Sequence, residues 1–268
     1  MNWAGVIESV PLSDFRLVMK RYFIIVFVSF FIAVRCDQGE VNKVDPPPAV
    51  NIVFKNSDTS VVERGIDALY DASSPDNNYI YLEWYRNPEN RLAGYEIYRS
   101  TTANRNFLAI ARVTTRNRLG IDTVFIDKSV SLNQRYYYFV RAFDDLDQYG
   151  EPSDTTEYEL IEIPVLSYPV YNIGNIPSPI FRWSFANSIN PHFFVFRLEK
   201  NQNELYVNIH TKLCERITDY KTDQEWDLQK LHYTSVLTAG TYRWRIDSIG
   251  SERDRIGSES AWFVFVIE

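Results

Sequence analysis

The side chains that most often carry catalysis are few in this sequence, and their spacing fits no known site. The histidines and cysteines of the 268-residue chain are His192, His210, His232, Cys36 and Cys214. The three histidines lack metal-ligand spacing and are expected to pack or to lie at the surface. Cys214 has no evident activating partner, so we expect a buried thiol. Phosphate-binding Gly-rich loops, Gly-x-Ser-x-Gly turns and His-Glu-x-x-His helices do not occur. These observations predict a protein that is not an enzyme and has no cofactor.

One carboxylate cluster has some resemblance to a calcium loop. The segment "FDDLDQYG", residues 143–150, places Asp145 and Asp147 at alternate positions. Tyr149 occupies a position that needs an oxygen ligand, and Thr156 stands where a bidentate glutamate belongs. We therefore predict a solvated turn between two strands and no metal site.

Cys36 closes a segment with the features of a bacterial secretory signal. From Met19 the sequence reads "MKRYFIIVFVSFFIAVRC", in which Lys20 and Arg21 precede an apolar stretch that ends at Val34. A helix of that stretch rises about 20 Å, which is short of the roughly 30 Å hydrocarbon core of a bilayer. A signal peptide is thus favoured over a transmembrane helix. The residues before Met19 add nothing that a signal needs, so Met19 is the predicted start of translation.

The end of this segment resembles the lipobox of bacterial lipoproteins, in which a cysteine that follows small residues receives lipid. Ala33 fits the third position before Cys36, whereas Arg35 stands where Gly, Ala or Ser is usual. The resemblance implies a lipid on Cys36 and attachment to a membrane through it. Cleavage without lipid and an uncleaved anchor are the alternatives.

The residues after Cys36 give information on the cellular location of the protein. Asp37 and Glu40 resemble a surface-export signal of some Gram-negative phyla, and the prolines of residues 46–48 predict a stiff spacer. The expected location is the cell envelope, at the outer membrane or cell surface, with a periplasmic or secreted protein as the alternative.

Composition narrows the class of protein further. The net charge of −7 makes nucleic acid an unsuitable partner, because an acidic protein repels phosphate. The chain is 45% hydrophobic and 24% charged, which predicts a packed core. Aromatic residues make up 15% of it and favour β-structure. If Cys36 carries lipid, Cys214 has no cysteine with which to form a disulfide.

Several segments alternate between apolar and polar residues, as half-buried strands do. In "YIYLEW", residues 79–84, Ile80, Leu82 and Trp84 share one face. A turn-rich connector follows, and Tyr95 and Ile97 then share a face of the next strand. The pattern predicts an all-β fold.

Residues 60–160 resemble a fibronectin type III domain of the bacterial extracellular kind. The matching features are Trp84, the strand 94–100, the alternating run Tyr136-x-Tyr138-x-Val140-x-Ala142 and the closing residues 150–153. The resemblance implies an immunoglobulin-like β-sandwich with Trp84 in its core. It also implies that Tyr136 is a corner tyrosine, whose hydroxyl bonds to nearby main chain.

The second half repeats this plan more loosely. Phe194 follows Trp183 by eleven positions, as Tyr95 follows Trp84. The corner tyrosine lies 52 residues after the tryptophan in the first half, and Tyr242 lies 59 residues after it in the second. The predicted organisation is 1–36 for the upstream residues and signal, 37–59 for a linker, 60–160 for the first sandwich and 161–268 for a second, divergent one.

One sheet of the first sandwich is predicted to carry a binding face. If Tyr95 and Ile97 point inward, the residues between and beside them point outward. The predicted binding face comprises Tyr98, Tyr137, Phe139 and Arg141. Contiguous apolar surface with Tyr and Arg is typical of an interface. The alternative is that residues 50–56, or the second sandwich, cover this face.

These observations predict a non-enzymatic envelope protein that serves adhesion, recognition or assembly and binds a protein or glycan. A structural subunit of an envelope complex and an accessory carbohydrate-binding protein are the alternatives. Fold alone does not decide among them.

Overall fold

The computed structural model describes most of the chain after the signal segment. The described residues are 45–72, 78–88, 91–114, 123–185, 191–215 and 223–268. Within these ranges the regular elements are β-strands, and residues 46–268 form one compact unit. Cys36 and the predicted signal lie outside the described residues.

The first module has two antiparallel sheets. Its strands are β1 (Asp67–Tyr70), β2 (Asn78–Glu83), β3 (Leu92–Ser100), β4 (Leu108–Thr114), β5 (Val124–Asp127), β6 (Arg135–Asp144) and β7 (Thr156–Leu160). One sheet has the order β1-β2-β5, and the other has the order β4-β3-β6-β7. This is the two-sheet plan of an immunoglobulin-like sandwich, as the sequence predicts.

The second module repeats the plan. Its strands are β8 (Val165–Tyr168), β9 (Tyr171–Asn172), β10 (Phe181–Ser184), β11 (Phe193–Gln202), β12 (Leu205–Glu215), β13 (Asp223–Trp226), β14 (Gly240–Ile249), β15 (Ile256–Glu259) and β16 (Phe263–Ile267). The smaller sheet has the order β13-β10-β8. In the larger sheet β11 pairs with β12 and β14, and β14 pairs with β15 and β16.

The larger sheets of the two modules join into one. β15 pairs in parallel with β7, with Ile256 opposite Glu159 and Gly257 opposite Leu160. The continuous order is β12-β11-β14-β15-β7-β6-β3-β4. Main-chain hydrogen bonds across the junction, such as that from Glu159 N to the Arg255 carbonyl at 2.8 Å, oppose hinge motion between the modules.

A tryptophan lies at the centre of each core and contacts the strand that follows it. The rings of Trp84 and Tyr95 meet edge to face at 5.3 Å, and those of Trp183 and Phe194 at 5.9 Å. Trp183 also packs against Trp226 at 5.9 Å. The equal spacing along the sequence therefore reflects the same packing in both modules. Burial of each of these large side chains contributes roughly 1.5–3 kcal/mol to the free energy of folding.

Both predicted corner tyrosines bond to nearby main chain. The Tyr136 hydroxyl accepts from the Ser131 N–H at 3.0 Å. The Tyr242 hydroxyl donates to the Thr238 carbonyl at 2.7 Å. These bonds fix the corner before the long strands β6 and β14.

The predicted linker 37–59 extends too far toward the C-terminus. Val50 and Ile52 are buried in the first core, and Ile52 forms a bridge with Trp84. Pro47 is buried, and the Pro48 carbonyl accepts from the Asn87 side chain at 2.8 Å. These residues pack on the first module because β2 offers free main-chain groups at its end. The proline run is thus not a free spacer.

Candidate functional site

Tyr98 and Phe139 lie opposite each other on the outer face of the larger sheet of the first module. Their rings stack with centroids 4.6 Å apart and planes 15° from parallel. Phe107, just before β4, packs against Phe139 at 4.8 Å. All three side chains are half-buried. We call Tyr98, Phe107 and Phe139 the aromatic patch.

The Glu96 carboxylate binds the hydroxyl group of Tyr98, at the polar end of the patch. Glu96 accepts hydrogen bonds from the Tyr98 hydroxyl and, at 3.3 Å, from the Tyr149 hydroxyl. Burial, together with the bond to Glu96, raises the pKa of Tyr98 to about 12. Tyr98 therefore stays protonated at physiological pH and remains a hydrogen-bond donor.

Arginines flank the patch and pack on neighbouring rings. The guanidinium of Arg141 lies 5.4 Å from the Tyr149 ring, and its Nε donates to the Gly150 carbonyl at 2.8 Å. Arg112 lies 3.8 Å above the ring of Phe143. Cation–π contacts of this kind fix arginine side chains at a surface where they remain able to meet a partner.

Residues 50–56 pack at the end of β2, away from the aromatic patch, but Phe54 and Lys55 line a groove together with Tyr137. The alternative of cover by this segment therefore applies to Tyr137 and not to Tyr98 or Phe139. The Val53 N–H donates to the Glu83 carbonyl at 3.0 Å, and the Tyr85 N–H donates to the Asn51 carbonyl at 2.8 Å. These bonds attach the segment to the end of β2, in the other sheet. The second module joins the larger sheet at β7, whereas the patch lies on β3, on β6 and beside β4.

Tyr137 lines a groove of about 810 Å³ between the modules. The groove is lined by Phe54, Lys55, Ile66, Ala103, Asn104, Arg135, Tyr137, Thr155, Thr156, Glu157, Arg253, Asp254 and Arg255. Ion pairs cross beside it, from Arg135 to Glu252 at 2.9 Å and from Arg255 to Glu157 at 2.6 Å. The predicted binding face thus divides between the aromatic patch and this groove.

The residues considered for chemistry lie apart from the patch. His210 Nε2 is 2.6 Å from the Leu231 carbonyl, and His232 Nδ1 is 3.1 Å from Lys212 Nζ. Burial raises the pKa of the Cys214 thiol to about 12. A thiol with such a pKa is a poor nucleophile at neutral pH.

The carboxylate segment 143–150 forms a turn. The Asp144 carboxylate accepts from the N–H groups of Leu146 and Gln148 at 2.9 and 2.8 Å. Asp147 pairs with Arg112. The aspartates thus hold the turn and its arginine neighbour, as the turn prediction expects.

The sequence interpretation missed a buried ion network at the junction of the modules. Arg197 on β11 and Arg245 on β14 are only 3% and 6% exposed. Both guanidinium groups contact Glu63, a first-module residue, at 2.7 and 2.6 Å. Each arginine stands between two apolar residues in the sequence, as an outward, solvated arginine of a half-buried strand also does, so the sequence pattern did not distinguish the two cases.

Comparisons with known proteins find only distant structural similarity. No family model matches the chain, and no curated protein matches it. Among solved structures, the FN1–FN3 domains of chicken CNTN1 align with a TM-score of 0.28 and 12% identity, over 83% of this chain and 67% of that one. An α-L-rhamnosidase of Streptomyces avermitilis, complexed with L-rhamnose, aligns with a TM-score of 0.27 and 12% identity, over 80% of this chain and 24% of that one. Likeness at this level does not extend to ligands or activity.

The architecture itself identifies the fold class. Each module places a three-stranded sheet against a larger one, with a buried tryptophan between them and a corner tyrosine near the start of a long strand. The chain has an all-β fold of two fibronectin type III-like sandwiches.

Proposed function

We propose that this protein is a non-enzymatic component of the bacterial cell envelope that binds a protein partner through the aromatic patch. The stacked pair of Tyr98 and Phe139 carries the proposal. Two large rings held half-exposed, with arginines beside them, match the residue types that dominate binding energy at protein interfaces.

A protein partner fits this patch better than a glycan does. Sugar rings bind by lying flat on free aromatic faces, and Tyr98 and Phe139 each cover one face of the other. The groove that contains Tyr137 is polar and favours a glycan more than the patch does. Retention of the protein on a polysaccharide column would therefore argue against a protein partner and for a glycan.

The double substitution of Tyr98→Ser and Phe139→Ser is expected to abolish binding and to preserve the fold. Removal of two interface anchors costs about 2 kcal/mol or more each, so affinity should fall at least several hundred-fold. Capture of a stoichiometric partner from native envelopes, with circular dichroism as the fold check, measures both effects. A permanent subunit of an envelope complex would also co-purify with its partner. Dilution separates the two cases: the complex of a free recognition module should dissociate, whereas that of a permanent subunit should not.

The matched control is Tyr85→Ser, since Tyr85 is 56% exposed and belongs to the same module. This variant should bind like the wild type. Unfolding of the double variant would instead show that the aromatic patch is needed for the stability of the fold. Unchanged binding, or binding to polysaccharide that depends on Tyr137, would contradict a protein partner at the patch.

Attachment to the envelope through lipid on Cys36 is the second part of the proposal. Its support is the apolar segment that ends at this cysteine after Ala33. The intact mass of the protein from its native membranes is expected to correspond to a chain that begins at Cys36 and carries acyl groups. A chain that begins nearby without acyl mass would make the protein periplasmic or secreted, and an unprocessed chain would exclude a cleaved signal.

A further inference from the structure

The groove between the modules opens beside the aromatic patch. Tyr137 lines the groove, and Phe139 of the patch lies two residues further along the same outer face of β6. Residues at this spacing in a strand are about 7 Å apart. The loop after β3 connects the two places again, because its Asn104 lines the groove and its Phe107 packs against Phe139. A protein that covers the patch therefore also reaches the groove.

Several polar side chains of this groove have no partner among the described residues. The groove measures about 810 Å³, which is room for several side chains of a bound protein. The side chains that line it without a hydrogen bond or ion pair to the described part of the chain are those of Asn104, Tyr137, Thr155, Thr156 and Arg253. Polar groups of this kind, placed in the wall of a cleft, are the groups that orient a ligand.

Arg253 differs from the other cationic residues of the groove, because it lacks a carboxylate partner within the described ranges. The others are paired there, Lys55 with Asp67, Arg135 with Glu252 and Arg255 with Glu157. The Arg253 guanidinium instead lies 4.2 Å from the centre of the Phe193 ring. A contact of this kind holds the guanidinium in place and leaves its N–H groups free to donate.

The two carboxylates that line the groove do not neutralise Arg253. Glu157 accepts from Arg255 at 2.6 Å. Asp254 lies near Asp58, because its negative charge adds to the rise that burial causes in the pKa of Asp58. Neither Glu157 nor Asp254 forms an ion pair with Arg253 in the part of the chain that the structure describes. Arg253 therefore offers its positive charge to an anion from outside the chain.

The anion that suits this site is a carboxylate. A guanidinium held over a ring keeps its N–H edge free to form two parallel hydrogen bonds with a carboxylate. A protein presents carboxylates on its aspartate and glutamate side chains. An acidic glycan also carries carboxylates, but it gains nothing from the adjoining patch, in which Tyr98 and Phe139 cover each other's faces. A protein partner uses the patch and Arg253 together.

We propose that the protein partner of the aromatic patch places an aspartate or glutamate side chain in the groove, where Arg253 binds its carboxylate. The proposal rests on the proposed function and adds the chemistry of the partner, whose contact surface carries a carboxylate beside apolar residues. Arg253 belongs to the second module, between β14 and β15, whereas the patch belongs to the first. The partner therefore contacts both modules.

Carbodiimide coupling in native envelopes tests the carboxylate directly. Arg253→Lys keeps the positive charge and places an amine in the groove. The carbodiimide joins this amine to a carboxylate in contact with it through an amide bond, and the reagent takes up the water that is lost. We expect a coupled protein at position 253, located by mass spectrometry, that the wild type does not give. The matched control is Arg86→Lys, because Arg86 is exposed and lies outside the groove, and it should give no such product.

Arg253→Gln should lower the affinity for the captured partner about ten-fold and weaken its dependence on salt, since a charge pair is lost. Photo-crosslinking from position 139 separates this proposal from the proposed function. A crosslink from position 139, with no coupling at position 253 and unchanged affinity of Arg253→Gln, would overturn the acidic side chain and leave the patch as the binding surface. No crosslink from position 139 would overturn the patch itself. A polysaccharide coupled at position 253 would overturn a protein ligand in the groove.

Discussion

Replacement of Arg245 by alanine is expected to lower the free energy of unfolding by about 3–5 kcal/mol. The guanidinium group pairs with Asp247 at 2.8 Å, with Glu259 at 3.0 Å and with Glu63 at 2.6 Å. Its removal leaves these carboxylates at the module junction with less positive charge. A buried charge that loses its partner costs much more than the pair contributes in net terms.

Denaturant titration of the wild type and the variant measures this loss. Arg182→Ala is the matched control, because its ion pair with Glu225 at 2.9 Å is exposed on both sides. Such a pair contributes about 0–1 kcal/mol. Equal, small losses for Arg245→Ala and Arg182→Ala would show that the buried ion network at the junction of the modules does not stabilise the fold.

The effect of Arg245→Ala should also depend on pH. Burial already raises the pKa of Glu259 in the folded state, so the folded state binds more protons than the unfolded state once the pH exceeds the ordinary glutamate range. Loss of Arg245 raises that pKa further. The stability deficit of the variant should thus be small in mild acid and should grow as the pH rises.

Trp84→Ala is the second substitution with a large expected effect, a loss of about 3–5 kcal/mol. Trp84 is 1% exposed and meets Tyr95 edge to face at 5.3 Å. Its indole Nε1 has no hydrogen-bond partner among the described residues, so the loss arises from packing and from the cavity left behind. Urea unfolding followed by circular dichroism measures it.

The neighbouring substitution Tyr85→Ala provides the comparison. Tyr85 is 56% exposed, and its replacement should change stability by less than about 0.5 kcal/mol. A loss for Trp84→Ala no greater than that for Tyr85→Ala would contradict a sandwich core centred on Trp84. Because the modules share a sheet, Trp84→Ala should also lower the midpoint of unfolding reported by second-module tryptophans.

Local alternation along the sequence was sufficient to predict the cores and the outward orientation of Tyr98 and Phe139, but it predicted neither the contact of Phe107 with Phe139 nor the position of Tyr137 in the groove. In β3, Tyr95 and Ile97 are fully buried while Tyr98 lies on the outer face. The period of two in the strand fixes these orientations. The repeat from Trp84 to Tyr95 predicts its counterpart in the second module for the same reason.

The junction depends on contacts that no local pattern encodes. Arg197 is buried because a segment more than 130 residues earlier folds over it, and a strand pattern alone predicts an outward, solvated arginine. The parallel pairing of β15 with β7 is equally non-local. Ile52 joins the first core through a single bridge with Trp84, which is too short for alternation to reveal.

Site-specific photo-crosslinking in native envelopes tests the proposed binding surface most directly. A photoreactive phenylalanine derivative at position 139 places the reactive group within the aromatic patch. A second position, 236, serves as the control, because Val236 is 66% exposed and lies in the second module. The proposal predicts a discrete crosslinked protein from position 139 and none from position 236. Identical products from both positions, or none from position 139, would contradict a partner at the patch.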